Sequence, residues 1–298
     1  MLSTLLTFYL LIGSGFLLKK LKVFRQEDTA VFVNYIIHFA LPVAVLGVIH
    51  DFEFSLKDFA IFTTAWLSVA VTTFFVFFVF RNLLKDEKSL KSFFLSASFG
   101  NTAFVGYPVA YSLFGDKGLA YAILYDVLGN FLTVVTFAIF LITGKVDWKL
   151  LYKFPPLGAL ILAFILKGVP LGIFKPFVGT VKQSITPTIV FALGLRLEPK
   201  KAFLNIKPAV GAVIWRQFVV PAFVLPLILL YKEVFNLPFE ELAVILLQSA
   251  MPPFVMAVIL SEKYRLNTDL SLAAANLGIL LLPISLPFWL YIAQKLLS

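Results

Sequence analysis

Ten stretches of about 20 mainly apolar residues follow one another along the chain, and this succession constrains its fold more than any other feature. They run Leu2–Leu18, Ala30–Ile49, Phe59–Phe80, Ser92–Phe114 and Leu119–Thr143, then Phe154–Phe174, Phe177–Leu195, Pro208–Tyr231, Glu240–Ser261 and Leu270–Gln294. The loops between them are too short to hold a soluble domain. The chain is 60% hydrophobic and 14% charged, whereas a soluble domain is nearer half apolar and a quarter charged. These observations predict an all-α integral membrane protein, with the lipid bilayer as its standing partner. Leu2–Leu18 carries its lysines after the apolar run. A secretory signal carries them before it, so this stretch reads as a retained helix.

Charge assigns an orientation. The loops after the odd-numbered spans hold seventeen Lys and Arg, the opposite side holds six counting Lys167 near the end of the sixth span, and Lys182 and Arg216 lie inside spans. The positive-inside rule places the basic side in the cytoplasm of a cell (inner) membrane protein, with both termini outside. The net charge of +9 then reflects these loops rather than a nucleic-acid partner. Cys is absent and His occurs twice, which excludes disulfides and makes a zinc site untenable. No Gly-Lys-Ser/Thr phosphate loop is present, so ATP does not drive this chain directly. No Ser-His-Asp arrangement can be argued either. Neither an enzyme nor a resident cofactor is expected.

The two halves resemble one another. Phe39-Ala40-Leu41 meets Phe191-Ala192-Leu193 at an offset of 152, which also carries Asn101 onto Pro253; Asp126 meets Asn276 at 150. Chance similarity between hydrophobic halves is the competing explanation. Together with five spans per half, the matches predict two inverted repeats, 1–149 and 150–298. Each would contribute to a scaffold domain and a transport domain, as in many secondary transporters.

The fourth and ninth spans carry the functional signal. Ser96–Gly115 holds Gly100, Asn101, Gly106 and Pro108 within an otherwise apolar run. Its counterpart holds Gln248, Ser249, Pro252 and Pro253 near mid-span. Proline removes a backbone donor and clashes with the preceding turn. Non-helical backbone at membrane depth survives only where it is buried in protein or lines a cavity. Helix breaks are therefore expected at Gly106 and Pro108, and at Pro252 and Pro253. The bland alternative is a pair of kinks healed by neighbouring helices. Each break exposes a half-helix N-terminus whose N–H groups and dipole attract an anion. Gly100, Asn101, Thr102, Gln248, Ser249, Pro252 and Pro253 are the candidate substrate-binding residues. A carboxylate held by amides and helix ends is released more readily than one locked to a buried Arg.

Other polar residues lie within the spans. Asp126 and Asn130 sit at i and i+4 on one helix face. Asp126 carries a proton or helps bind Na⁺, pairs structurally with Lys182 or Arg216, or occupies a shallow wetted position. Asn130 and Asn276 are further candidates for ion coupling. Lys182 and Arg216 either snorkel to an interface or attract an anionic cargo. Asn34 and His38 share a face of the second span; His38 is a packing residue, or lines the cavity.

The string Asn101-Thr102-Ala103-Phe104-Val105-Gly106-Tyr107-Pro108, followed by Leu113-Phe114-Gly115, resembles the fourth-helix signature of the auxin efflux carrier family. Gln248-Ser249-Ala250-Met251-Pro252 and Glu262-Lys263-Tyr264 resemble its ninth-helix region, and Leu41-Pro42 its second-helix Leu-Pro. The likeness covers essentially the whole chain, without the long cytoplasmic loop of some plant members. It implies ten helices in two inverted five-helix repeats, with broken helices four and nine crossing, in a sodium/proton antiporter-like fold that is also similar to bile-acid symporters. It also implies a scaffold that often dimerises. Asn101, Pro108, Gln248 and Pro252 match the family's crossing positions. Plant members export indole-3-acetate, and bacterial relatives are linked to malate or malonate. The chain departs from the pattern around Pro253-Phe254, where the family often has small residues, and at Ala257, where it has a second proline. The expected function is a secondary carrier of a small organic anion, coupled to protons or sodium if coupled at all. The rivals are a sodium/proton antiporter-like ion carrier and a membrane-embedded sensor.

Overall fold

The computed structural model describes residues 2–84, 86–200 and 206–298, with side chains from residue 6 onward. Lys85 and Lys201, two of the predicted cytoplasmic cations, lie outside the described residues. Among the described residues the regular secondary structure is all helix. Its elements are α1 (Leu2–Lys20), α2 (Thr29–Asp51), α3 (Leu56–Val79), α4 (Glu87–Ser98), α5 (Thr102–Thr143) and α6 (Trp148–Tyr152). There follow α7 (Pro155–Ile165), α8 (Lys175–Arg196), α9 (Ile206–Phe235), α10 (Phe239–Ser249), α11 (Met256–Lys263) and α12 (Thr268–Leu296). Five of these, α2, α3, α5, α9 and α12, are long and apolar enough to cross a membrane.

Local chemistry sets the boundaries. Asp86 opens α4: its carboxylate accepts from the Ser89 N–H at 2.9 Å and from the Ser89 hydroxyl at 2.8 Å. These bonds hold the Asp86 carboxyl below the usual carboxylate range. Asn267 opens α12 by accepting from the Leu270 N–H at 3.1 Å. Within α3, Thr64, Ser68 and Thr72 donate to the carbonyls four residues back at 2.6–2.8 Å. Their hydroxyls therefore make no demand on an apolar environment.

Three elements differ from the sequence-based expectation. The predicted sixth span, Phe154–Phe174, is α-helical only over Pro155–Ile165, with a 3-10 turn at Gly172–Phe174, because Gly168 takes a φ of 90° and Pro170 follows it. The predicted loop between the fourth and fifth spans shrinks to a turn at Gly115, which has a φ of 61° inside α5. The first break falls at 99–101, between α4 and α5, and not at Gly106 and Pro108. Gly106 ends a widened helical turn over Thr102–Gly106, and Pro108 follows in the helical Tyr107–Ile123 segment. The second break covers 250–255, between α10 and α11, and contains Pro252 and Pro253.

The chain packs as two compact units. The first comprises 1–54, 107–123 and 148–197; the second comprises 55–106, 124–147 and 198–298. Each draws segments from both halves of the sequence. In the first unit α1 lies against α8 with backbones in contact: a Cβ at Gly15 would meet the Phe191 carbonyl, and one at Gly194 the Ile12 carbonyl. Small residues permit that approach, which maximises dispersion between helices that lipid cannot drive together. The Tyr35 hydroxyl bonds the Ser184 hydroxyl at 2.7 Å and ties α2 to α8. Among the described residues, every buried polar or charged side chain except Thr29 lies in the second unit. A buried polar group costs free energy unless it is partnered, so the second unit concentrates the groups whose burial needs a compensating partner.

Candidate functional site

The two breaks pair with each other. The Asn101 N–H donates to the Pro252 carbonyl at 2.7 Å, and the Phe254 N–H donates to the Phe99 carbonyl at 3.1 Å. Gly100 and Pro253 thus face each other as one antiparallel bridge. Backbone freed from helix by Pro252 and Pro253 needs partners at this depth, and the first break supplies them. In return the second break pulls 99–101 out of helical geometry.

Arg216, in α9, lies behind this pairing and is 1% exposed. Its guanidinium donates to the Ser98 carbonyl at 3.4 Å and to the Gln248 carbonyl at 3.1 Å, and it bonds the Tyr125 hydroxyl. Ser98 ends α4, and Gln248 is the last residue but one of α10. Each helix C-terminus carries about half a negative charge, so one guanidinium balances the two ends together. A Cβ at Gly100 would run into this guanidinium, so only glycine lets the break approach it. The expectation that Arg216 snorkels to an interface is therefore corrected: it is enclosed at the breaks and held by helix ends.

The amides complete this part of the site. Asn101 opens α5, its Oδ1 accepting from the Phe104 N–H at 3.3 Å, which leaves its Nδ2 buried without a partner. Gln248 is 1% exposed, and neither its Oε1 nor its Nε2 has a partner. The Arg216 Nε is likewise unpartnered. A Cβ at Gly106 would collide with the Gln248 amide. Gly106 thus gives room to Gln248 and does not break the helix. Ser249 is buried, with its hydroxyl donated to the Leu246 carbonyl at 2.6 Å.

A second cluster adjoins the first break. The Thr102 hydroxyl donates to the Asp126 carboxylate. The Asn130 amide donates to the Gly100 carbonyl at 3.0 Å and to the Thr102 Oγ1 at 2.9 Å. Asp126 and Asn130, one turn apart on α5, thereby reach both residues flanking Asn101. All four residues are buried. Carboxylate, hydroxyl and carbonyl oxygens suit a proton or a hard monovalent cation.

A family model described as membrane transport protein matches residues 1–145 and 138–290. The chain belongs to that family, the auxin efflux carrier-like membrane transport proteins. It is similar to an uncharacterized transporter of Methanocaldococcus jannaschii, 30% identical over 93% of each chain. It is also similar to an uncharacterized transporter of Methanothermobacter thermautotrophicus, 25% identical over 96% of each. The protein is thus a multi-pass membrane transporter and not an enzyme.

Within this transporter the sequence-based candidates separate. Gly100, Asn101, Thr102, Asp126, Asn130, Arg216, Gln248, Ser249, Pro252 and Pro253 all lie in the second unit, in or next to the paired breaks. Asn276 belongs to the same unit, but its Oδ1 accepts from the Glu198 N–H at 2.8 Å and its Nδ2 donates to the Leu272 carbonyl at 2.9 Å. The first bond ties α12 to the segment entering from 198, and the second stays within α12. Lys182 is the ion-pair partner of Asp116, not of Asp126, and stands over the Tyr111 ring. Asn34 and His38 belong to the first unit and are exposed, as parts of α2. Sequence reasoning missed Tyr125 and the Ser98 carbonyl as partners of Arg216. The available signal was a Tyr-Asp pair in an apolar helix.

Proposed function

We propose that the protein is a secondary transporter of a small organic anion that works by alternating access, with the anion's carboxylate bound at the paired breaks. The observation that carries this reading is the set of unpartnered buried N–H donors there: Asn101 Nδ2, Gln248 Nε2 and Arg216 Nε. A buried donor without a partner carries its full desolvation cost, and a carboxylate would remove that cost. The half-helices beginning at Thr102 and Met256 add positive dipole ends. Because Arg216 is already shared between two helix ends, it offers the anion one N–H from a charge that is largely balanced, and so does not trap it. Under this reading the chain has ten spans in two inverted repeats, both termini outside a cell membrane, and a scaffold built on the first unit that dimerises. Asp126 and Asn130 would couple transport to protons or sodium.

The test is uptake of labelled malate, malonate and indole-3-acetate by proteoliposomes. Asn101→Ala is expected to lower uptake of the accepted anion at least tenfold, and also to cost roughly 1 kcal/mol from the lost helix cap. Asn101→Asp separates the two effects, because it retains the capping oxygen while replacing the donor with a repelling charge. It should unfold near the wild-type temperature and take up nothing. Wild-type uptake by both variants would reject the site.

Gly106→Ala is expected to displace the Gln248 amide at little cost to the fold, because the colliding group is the end of a flexible side chain. The expected result is a severalfold rise in the KM of uptake with thermal unfolding nearly unchanged. An unaltered KM would remove Gln248 from the binding site.

The oxygen cluster around Asp126 favours one second reading, a sodium/proton antiporter-like ion carrier. Dye-monitored proton flux on addition of Na⁺, without any carboxylate, would establish that reading instead.

A further inference from the structure

A cavity of about 790 Å³ opens in the second unit between the end of α3, the start of α4 and the first half of α9. Its wall is largely apolar, with Phe80, Phe93, Ile214, Trp215 and Val219 among the lining residues, and Gly211 also lines it. Two lining residues are polar, Ser89 and Lys207. The Ser89 hydroxyl is committed, donating to Asp86 and accepting from the Asn267 amide at 2.9 Å. The Trp215 Nε1 is committed as well, donating to Thr72 Oγ1 at 3.0 Å, so the indole offers the cavity only its ring. The cavity therefore presents one cation and an apolar trough.

The dimensions and the charge suit one kind of occupant. Lys207 and Val219 are twelve residues apart on α9, or about 18 Å along a helix. One leaflet of bilayer hydrocarbon is about 15 Å deep. The trough is thus as long as one acyl chain is deep, with its cation at one end. Arg81 and Lys88 flank the lining residues Leu83, Leu84 and Ser89 in sequence, and among the described residues neither they nor Lys207 are held in an ion pair. The neighbouring acids are engaged: Asp86 caps α4, and Glu87 pairs with Lys91 at 2.7 Å.

We propose that this trough is a binding site for one anionic phospholipid, with its phosphate at Lys207 and an acyl chain lying along Phe93 and Trp215. The leaflet is the one on the Lys207 side, whichever side of the membrane that is. The inference stands independently of the cargo bound at the breaks. Trp215 adjoins Arg216 in sequence, so a bound chain would bear on the turn of α9 that holds the two helix ends.

Native mass spectrometry of the purified transporter, given equal amounts of phosphatidylglycerol and phosphatidylcholine, tests the site. Wild type should retain one phosphatidylglycerol in preference to phosphatidylcholine. Lys207→Ala should cut that preference about fivefold, the effect of roughly one basic residue at an anionic surface. Gly211→Leu should abolish retention of either lipid by filling the cavity. A Cβ there meets only the Phe93 ring, at 3.4 Å, so the fold tolerates the change. Equal retention of the two lipids by wild type would overturn the proposal. So would a phosphatidylglycerol preference that survives both substitutions.

Discussion

Arg216→Ala is expected to destabilise the transporter by about 3–5 kcal/mol and to abolish uptake. The guanidinium is 1% exposed and donates to carbonyls that terminate α4 and α10. Removing it leaves two helix C-termini, about one negative charge in total, facing each other in a buried setting. Replacing a whole buried ion pair by apolar residues can be neutral, but here the carbonyls belong to the backbone and stay behind. Each bond to a charged donor contributes about 1.5–3 kcal/mol, which is consistent with the larger figure. Arg216→Lys separates charge from geometry. It keeps the positive charge and loses the fork that reaches both carbonyls, so an intermediate unfolding temperature and weak residual uptake are expected. Thermal unfolding in detergent, run beside the uptake assay, measures both. If Arg216→Ala unfolds at the wild-type temperature, the guanidinium is not what holds the two helix ends together.

The sequence made one break legible and displaced the other, for a physical reason. Pro252 and Pro253 act locally: two missing donors in succession interrupt a helix wherever it packs. The break at 99–101 has no comparable local cause. Gly100 and the capping residue Asn101 weaken the helix there only modestly, and the Asn101 N–H is taken up by the Pro252 carbonyl. Gly106 and Pro108 are conspicuous breakers, yet a helix accepts glycine at modest cost, and Pro108 follows directly on the widened turn over Thr102–Gly106, where the ordinary helical bonding is already relaxed. Arg216 was legible as a charge within a span, but its depth was not. Snorkelling depends on whether neighbouring helices close over the side chain, which periodicity in one helix does not record. Asp126 and Asn130 were legible as a pair because spacing alone puts them on one face. Their engagement with Thr102 and Gly100 depends on the fold that brings α5 back beside the break. Asn276 shows the opposite limit: matching Asp126 at a sequence offset of 150 did not give it the same partners.

If transport is coupled at Asp126 as proposed, Asp126→Asn is expected to leave the fold intact and to uncouple transport from a proton or sodium gradient. The substitution is nearly isosteric, and its amide oxygen can still accept from the Thr102 hydroxyl, so a change in stability within about 1 kcal/mol is expected. What disappears is the negative charge next to the break. Asn130 bonds both Thr102 Oγ1 and the Gly100 carbonyl, so the carboxylate is linked through two side chains to the backbone that pairs with Pro253. A proton or sodium ion arriving at Asp126 would alter the bond from Thr102, and with it the segment carrying Asn101. With asparagine the segment is held in one state. Uptake driven by an imposed proton or sodium gradient should fall at least tenfold, while exchange of labelled for unlabelled anion at equilibrium persists. Thr102→Val should act in the same direction by removing the hydroxyl that joins carboxylate and break. Accumulation by Asp126→Asn at the wild-type level under the same gradient would exclude Asp126 as the coupling group. Loss of exchange together with accumulation would instead place Asp126 among the groups that hold the anion site in shape.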